Sequence, residues 1–193
     1  MNMGNWNVNV NTKGLPQKVA SAMSSLGDTI MGAQYEMIAY LGSQIVNGTN
    51  HAVLAKQTIV TGRDTENIVL LIFNEKPNDP EASLVSIERV VESGSPMGGT
   101  KVDVHINIPA DAQAEWNDAF MGFVGSDIEP FALLGTQIVK GVNYIFAAEM
   151  SPLTTEPKKE AVLVIVNGLT KRVSFVDILS NKHQSGLGYA FTW

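Results

Sequence analysis

The sequence contains no cysteine, few basic residues and no long apolar run, and each of these absences excludes a class of protein. Without cysteine the chain has no disulfide, no thiolate nucleophile and no sulfur ligand for a metal. Its 13 basic and 19 acidic residues give a net charge of -6, and the only adjacent basic pairs are residues 158–159 and 171–172. Nucleic acid is therefore not expected as a partner, because phosphate binding needs clustered Lys and Arg.

A membrane is not expected as a partner either. The apolar runs at residues 68–73 and 161–166 are far shorter than the roughly 18 to 20 residues that a membrane-spanning helix needs. Residues 1–11 have neither the basic start nor the continuous apolar stretch of a signal peptide. We therefore expect a soluble chain with a cytoplasmic location, if Met1 is the native start.

The chain repeats itself once. A shift of 93 positions aligns residues 15–74 with residues 108–167 without a gap, and 17 of the 60 pairs are identical. Among the identical pairs are Gly32 with Gly125, Gly42 with Gly135, Gln44 with Gln137, Gly48 with Gly141, Asn50 with Asn143, and Asn74 with Asn167. Such self-similarity indicates two homologous units. We place them at residues 1–99 and 100–193, on either side of a connector rich in Gly and Ser.

Each unit opens with a short alternating segment and an amphipathic helix. Apolar side chains recur at steps of three and four from Leu15 to Ile30 in the first unit and from Ile108 to Phe123 in the second. A proline stands at the start of each stripe and a glycine follows its end, as is typical of the two ends of a helix. Each stripe predicts one helix with one buried face.

Four strand patterns follow the helix in each unit. They cover residues 35–47, 50–60, 68–73 and 83–91 in the first unit, and residues 128–140, 143–150, 161–166 and 171–179 in the second. A helix with one apolar stripe and an antiparallel sheet with one apolar face can bury each other in two layers. The sequence therefore predicts the α+β class, with two tandem domains that each consist of an antiparallel sheet packed on one α-helix.

The best-preserved part of the repeat resembles a known family. Residues 44–48 read Gln-Ile-Val-Asn-Gly and residues 137–141 read Gln-Ile-Val-Lys-Gly. Both segments resemble the Gln-x-Val-x-Gly hairpin signature of the cystatins, which inhibit papain-like cysteine proteases, and the order strand, helix, four strands is also that of the family. The resemblance implies a tandem cystatin-like protein that inhibits such a protease reversibly. Its wedge would consist of an N-terminal trunk with a glycine, the signature hairpin and a second hairpin.

The resemblance also implies which residues contact the protease. In the first unit they are Gly4, Gln44, Ile45, Val46, Asn47, Gly48 and Pro77. In the second unit they are Gln137, Ile138, Val139, Lys140 and Gly141. Gly4 matches the trunk glycine and Pro77 marks the second hairpin, although the tryptophan usual beside that proline is missing. The second unit has only a short second hairpin at residues 167–170, and its N-terminal side is tied to the first unit. The first wedge therefore ranks above the second.

A second interpretation of the same pattern stays open. Asn-Gly is a favoured turn pair in any hairpin, so its retention is equally compatible with a non-inhibitory binding or structural module that acts through protein-protein contacts. An enzyme is not expected, because His51, His105 and His183 are isolated and no nucleophile or metal-ligand motif occurs. We thus predict no catalytic residue, no metal and no cofactor. The sequence also leaves open a homodimer through edge strands, including the strand-like residues 189–193.

Overall fold

The computed structural model describes residues 4–60, 62, 65–94, 99–155 and 158–179. In the first half the elements are β1 (Trp6–Asn11), α1 (Gln17–Thr29), β2 (Ala33–Val46), β3 (Gly48–Ile59), β4 (Thr65–Glu75) and β5 (Ser83–Glu92). In the second half they are β6 (Thr100–His105), α2 (Ala110–Ala119), β7 (Ser126–Val139), β8 (Gly141–Pro152), β9 (Glu160–Asn167) and β10 (Val173–Asp177). The strand predicted at residues 189–193 and the histidine at position 183 lie outside the described residues.

Each half forms one five-stranded antiparallel sheet whose neighbours follow chain order, β1 to β5 and β6 to β10. The offset of 93 residues also relates the two structures: β2 and β7 have 14 residues each, and β3 and β8 have 12 each. The pairing register is interrupted at equivalent places, at residues 37–42 and residues 130–135. Each half has the element order strand, helix, four strands that the sequence predicts.

Gly42 and Gly135 leave no room for a side chain, because the first strand of each sheet pairs directly beside them. A Cβ atom on Gly42 would lie 2.2 Å from the carbonyl oxygen of Asn7, and a Cβ atom on Gly135 would lie 2.2 Å from that of Lys101. Both distances are shorter than any non-bonded contact, so a side chain at either position would push β1 or β6 off its sheet. This explains one of the identical pairs of the repeat.

The predicted α+β class is wrong, since strands make up 56% of the structure and helices only 14%. The protein is mostly β. Helix α1 has 13 residues and α2 has 10, and they bury only three and two side chains respectively. The prediction assumed one apolar face for each sheet, whereas residues 67–73 of β4 and 161–167 of β9 are buried without interruption. A strand of that kind is buried on both faces of its sheet.

The two sheets pack against each other. One apolar cluster joins Leu41, Leu54 and Leu70 of the first sheet to Leu134 and Leu163 of the second. Two smaller clusters lie on the outer faces, one containing side chains of α1 and the other side chains of α2. The central layer thus replaces the predicted two-layer domains as the main site of burial. The division into domains 1–99 and 100–193 stays a prediction, because both sheets depend on this layer.

The end of the first sheet that carries the β2–β3 turn lies beside the far end of the second sheet. Trp6 and Gln44, which pair with each other close to this turn, line one cleft together with Glu160 and Asp177. Glu160 pairs with Met150, near the end of β8 that is remote from the β7–β8 turn.

At the other end of the molecule, the β7–β8 turn lies beside the far end of the first sheet. The backbone N–H of Gly94 donates to the carbonyl oxygen of Thr100 at 3.4 Å. Thr100 pairs with Gln137, close to the β7–β8 turn, whereas Glu92 pairs with Asn67 at the far end of the first sheet. The β2–β3 and β7–β8 turns therefore lie at opposite ends of the protein.

A core substitution tests whether the two sheets depend on one layer. Leu41 is 0% exposed in the central cluster, so Leu41→Ala is expected to lower the free energy of unfolding by about 2–5 kcal/mol. Because the layer is shared, amide hydrogen exchange should become faster in β8 and β9 as well as in the first sheet. Leu71→Ala, in the outer cluster with α1, is the matched control and should affect β8 and β9 less. Unchanged exchange in β8 and β9 of Leu41→Ala would contradict a shared core.

Candidate functional site

The predicted contact residues of the first half lie together at one end of the first sheet. The side-chain amide of Gln44 donates to the carbonyl oxygen of Gly4 at 2.7 Å, so the N-terminal segment runs beside the β2–β3 turn. Gly48 lies against the end of β4, since a Cβ atom there would come within 2.5 Å of the carbonyl oxygen of Glu75. Pro77 is exposed in the connection that follows β4. The structure thus brings the three predicted elements to one edge.

The β2–β3 turn itself is open to solvent. Ile45 is 49% exposed, Asn47 is exposed and Val46 is half-buried. Gly48 has a φ of +97°, a left-handed conformation that favours glycine. The turn therefore needs its glycine for two local reasons, the backbone conformation and the close approach of β4, before any partner is considered.

A ladder of side-chain amides crosses the three strands beneath this turn. Asn50 of β3 donates to the Oε1 atom of Gln44 at 3.1 Å, and Asn74 of β4 donates to the Oδ1 atom of Asn50 at 2.8 Å. The Asn74 amide also lies 3.5 Å from the carbonyl oxygen of Asn47. The ladder ties β2, β3 and β4 together and holds the turn in one position.

The second half contains the same ladder. Asn143 donates to Gln137 at 3.1 Å, and Asn167 donates to Asn143 at 2.8 Å and to the carbonyl oxygen of Lys140 at 3.4 Å. Asn143 is fully buried. Sequence analysis missed this network, although all three of its amide positions are identical in the two units. Identical polar residues inside otherwise apolar strands were the available signal, because a buried amide requires a partner.

The second predicted contact segment lies at the equivalent turn, at the opposite end of the molecule. Ile138 is 73% exposed, Lys140 is exposed and Val139 is half-buried. A Cβ atom on Gly141 would lie 2.8 Å from the Cβ atom of Leu169, which is itself 62% exposed in the short β9–β10 turn. This end thus has two turns side by side.

A buried histidine lies beneath the first turn. The Nδ1 atom of His51 lies 3.0 Å from the hydroxyl of Tyr40, and its Nε2 atom lies 3.3 Å from a carboxylate oxygen of Glu75, off the direction of a hydrogen bond. Lys18 of α1 approaches the same carboxylate at 3.5 Å. Burial lowers the pKa of His51, and the charge of Glu75 offsets only part of that effect. The equivalent residue in the second half is Tyr144, so this cluster belongs to the first turn alone.

His51 is only 7% exposed, so its ring is shielded from solvent. The cleft beside Gly4 and Trp6 has a volume of about 250 Å³, which is smaller than the roughly 300–1,000 Å³ usual for ligand pockets. The β2–β3 and β7–β8 turns carry exposed apolar side chains, Ile45 at 49% and Ile138 at 73%, and are the candidate binding surfaces.

Removal of the central amide tests the ladder. Asn143→Ala leaves the amides of Gln137 and Asn167 without this partner in a buried place, which is expected to lower the free energy of unfolding by about 1–3 kcal/mol. Lys140→Ala changes an exposed side chain in the same turn and is expected to stay within about 0.5 kcal/mol of the wild type. Urea denaturation measures both. Equal stability of the two variants would argue against the ladder.

The buried histidine predicts a dependence of stability on pH. Because the pKa of His51 is lower in the folded protein than its ordinary value of 6.5, the unfolded chain takes up this proton more readily. The contribution of neutral His51 to the unfolding free energy is complete above pH 6.5. It is lost as the pH falls from there through the pKa of His51 in the folded protein. His51→Gln should therefore flatten the decline in unfolding free energy below pH 6.5. His105→Gln, at a partly exposed position, should retain the decline. If the unfolding free energy of His51→Gln declines as steeply as that of the wild type, the assignment is refuted.

Other kinds of site are not supported within the described residues. No group of three or more His, Cys, Asp or Glu side chains there is placed to hold a metal ion. Neither of the two helices that the structure describes has the length and apolar character to cross a membrane. Comparison with protein families, with curated proteins and with solved structures finds no match to this chain. What the molecule binds has to be inferred from its own turns and their surroundings.

Proposed function

We propose that this chain is a reversible inhibitor of papain-like cysteine proteases that places the turn of residues 44–48 in the protease cleft. The observation that carries the proposal is the convergence of Gly4, Gly48 and Pro77 at one end of the first sheet. A trunk and two turns along one edge form the wedge that such an inhibitor needs. Papain-like proteases are the proposed partners because the Gln-x-Val-x-Gly segments resemble those of cystatins.

The physical basis of inhibition would be a rigid turn that fills a cleft without reacting. The exposed Ile45 and the half-buried Val46 supply apolar contacts, and the amide ladder holds the turn in place before it binds. A preorganised turn loses little conformational entropy on binding. Both of its strands are paired within the sheet, so the turn does not extend into the cleft as a substrate does. The protein would thus occupy the cleft and be released unchanged.

The alternative is a non-inhibitory binding or structural module. It is favoured by one specific observation, namely that the same ladder occurs in both halves and explains the retained Gln and Gly residues through local structure alone. The two proposals differ at Ile45. Its side chain is exposed, so an inhibitor would need it for contact, whereas a structural module would not.

Inhibition assays with papain distinguish the two. The wild type is expected to inhibit competitively, and Ile45→Asp should raise the inhibition constant at least about tenfold, because it buries a charge in an apolar contact. Ile45 is a sharper target than Gly48, whose replacement would disturb the contact with Glu75. Met31→Asp, at a 93% exposed position after α1, is the matched control and should inhibit like the wild type. Full papain activity at about 100 μM wild-type protein would remove the proposal for this protease.

A further inference from the structure

We infer that the edge of β2 is a binding surface for residues 188–193 of the same chain, which take the place of β1 there. These residues read Gly-Tyr-Ala-Phe-Thr-Trp and lie outside the described part of the structure. Their acceptor is described, as are the strand that occupies it and the cleft that leads to it. The inference does not depend on the proposed function.

The first argument is that the repeat continues through the last strand of each sheet. Val69 and Val162 are equivalent positions, and they pair with Arg89 of β5 and Asp177 of β10 respectively. The two strands are therefore related by a shift of 88 residues. In each half the next two residues are apolar and buried in the central layer. The same shift therefore holds up to Leu179, the end of the described chain.

The second argument is the direction that the chain takes after this point. In the first half, residues 93–99 lead to β6, which crosses to the second sheet and pairs with the edge of β7. The shift of 88 residues makes residues 188–193 the equivalent of β6. Equivalent residues of both halves face the central layer, so the halves are related by an approximate two-fold axis. A crossing from the first sheet to the second then has a counterpart from the second to the first, and this counterpart ends at the edge of β2.

The third argument is a cleft at the point where this second crossing begins. In the first half the crossing begins at Ser93, whose backbone N–H donates to the Oδ1 atom of Asn67 at 3.2 Å. The position equivalent to Asn67 is Glu160. This residue lines the cleft beside Trp6, and so does Leu179, the last described residue. The chain therefore leaves the described structure at this cleft, beside the start of β1, with a carboxylate where the first half has its acceptor oxygen.

Two segments of the chain thus fit one edge. In β1, Val8 pairs with Gly42 and is the one residue of the strand that is fully buried. In the register of β6, the incoming segment pairs Ala190 with Gly42 and Trp193 with Tyr40, which forms an aromatic pair across the strands. Only one of the two segments can pair with β2 at a time.

The exchange changes the surroundings of the β2–β3 turn. The carbonyl oxygen of Gly4, just before β1, accepts the side-chain amide of Gln44 at 2.7 Å. When residues 188–193 replace β1, this hydrogen bond is lost and Gly4 leaves the turn. The edge of β2 therefore has two forms, one with the N-terminal segment beside the turn and one without it.

Disulfide formation between introduced cysteines tests the exchange, because the chain has no cysteine of its own. Thr136 pairs with Lys101 of β6, and the equivalent pair is Ser43 with Tyr189. In a glutathione redox buffer, Ser43→Cys with Tyr189→Cys is expected to form a disulfide within one chain. Its effective concentration should be at least about tenfold higher than that of Thr136→Cys with Tyr189→Cys, because Thr136 lies at the opposite end of the molecule. Asn7→Cys with Ser43→Cys reports the pairing of β1.

A substitution in β1 tests whether the two segments compete. Val8 is 8% exposed in the central layer, so Val8→Asp places a charge there and should weaken the docking of β1. In this background the disulfide between positions 43 and 189 should form at least about threefold more readily, and that between positions 7 and 43 less readily. Asn9→Asp, at an exposed position of the same strand, is the matched control and should change neither.

Three results would overturn the inference. If the disulfide between positions 43 and 189 does not form where that between positions 7 and 43 does, residues 188–193 do not reach β2. Disulfide-linked dimers in place of monomers would assign the segment to a second copy of the chain. An unchanged effective concentration in folded Val8→Asp would mean that the segment does not take the place of β1. The first two results are read in a chain with β1 unaltered, so they stand even if Val8→Asp does not fold.

Discussion

The structure depends on the burial of both faces of its central strands. Residues 67–73 and 161–167 have no polar face, so each sheet has to be covered on two sides. A short helix contributes to one side, and the other sheet covers the second. The same positions of the repeat face the shared layer in both halves, as Leu41 and Leu134 or Leu70 and Leu163 show. Contact between identical surface patches is the rule for two-fold interfaces between equal subunits. Here the tandem repeat achieves it within one chain.

The position of the turns follows from this packing. A two-fold relation about an axis perpendicular to the strands places equivalent turns at opposite ends, and the cleft that Gln44 shares with Glu160 shows this arrangement. Each turn is then fixed locally by its amide ladder, which lies at the end of an otherwise apolar set of strands. Such amides are stable in a buried place only when they are paired, and the pairing sets the register of three strands at once. An exposed turn whose position is fixed by the ladder is the result.

Much of the fold could be predicted from the sequence, because it depends on local patterns. The helix stripes, the strand order and the repeat all follow from periodicity and self-similarity within about 90 residues. The fold class was missed because the apolar runs at residues 68–73 and 161–166 were assigned one buried face, although a continuous run is typical of two. The resemblance to cystatins led to Gly4, Gln44 and Pro77, which the structure brings to one edge. His51 seemed isolated, because Tyr40 and Glu75 become its neighbours only through strand pairing. The opposite directions of the turns depend on contacts between the halves, which no local pattern encodes.

The central claim is that the two sheets pack face to face with their turns at opposite ends. Since the chain has no cysteine, spin labels can be attached specifically to Asn47→Cys and Lys140→Cys, which are equivalent exposed positions in the two turns. Double electron–electron resonance on this doubly labelled protein measures the separation directly. The account predicts a single distance of at least about 30 Å, because the first turn lies beside the end of β8 that is nine residues from the β7–β8 turn, at roughly 3.3 Å per residue. A distance below about 20 Å would mean that both turns lie at the same end, and would contradict it.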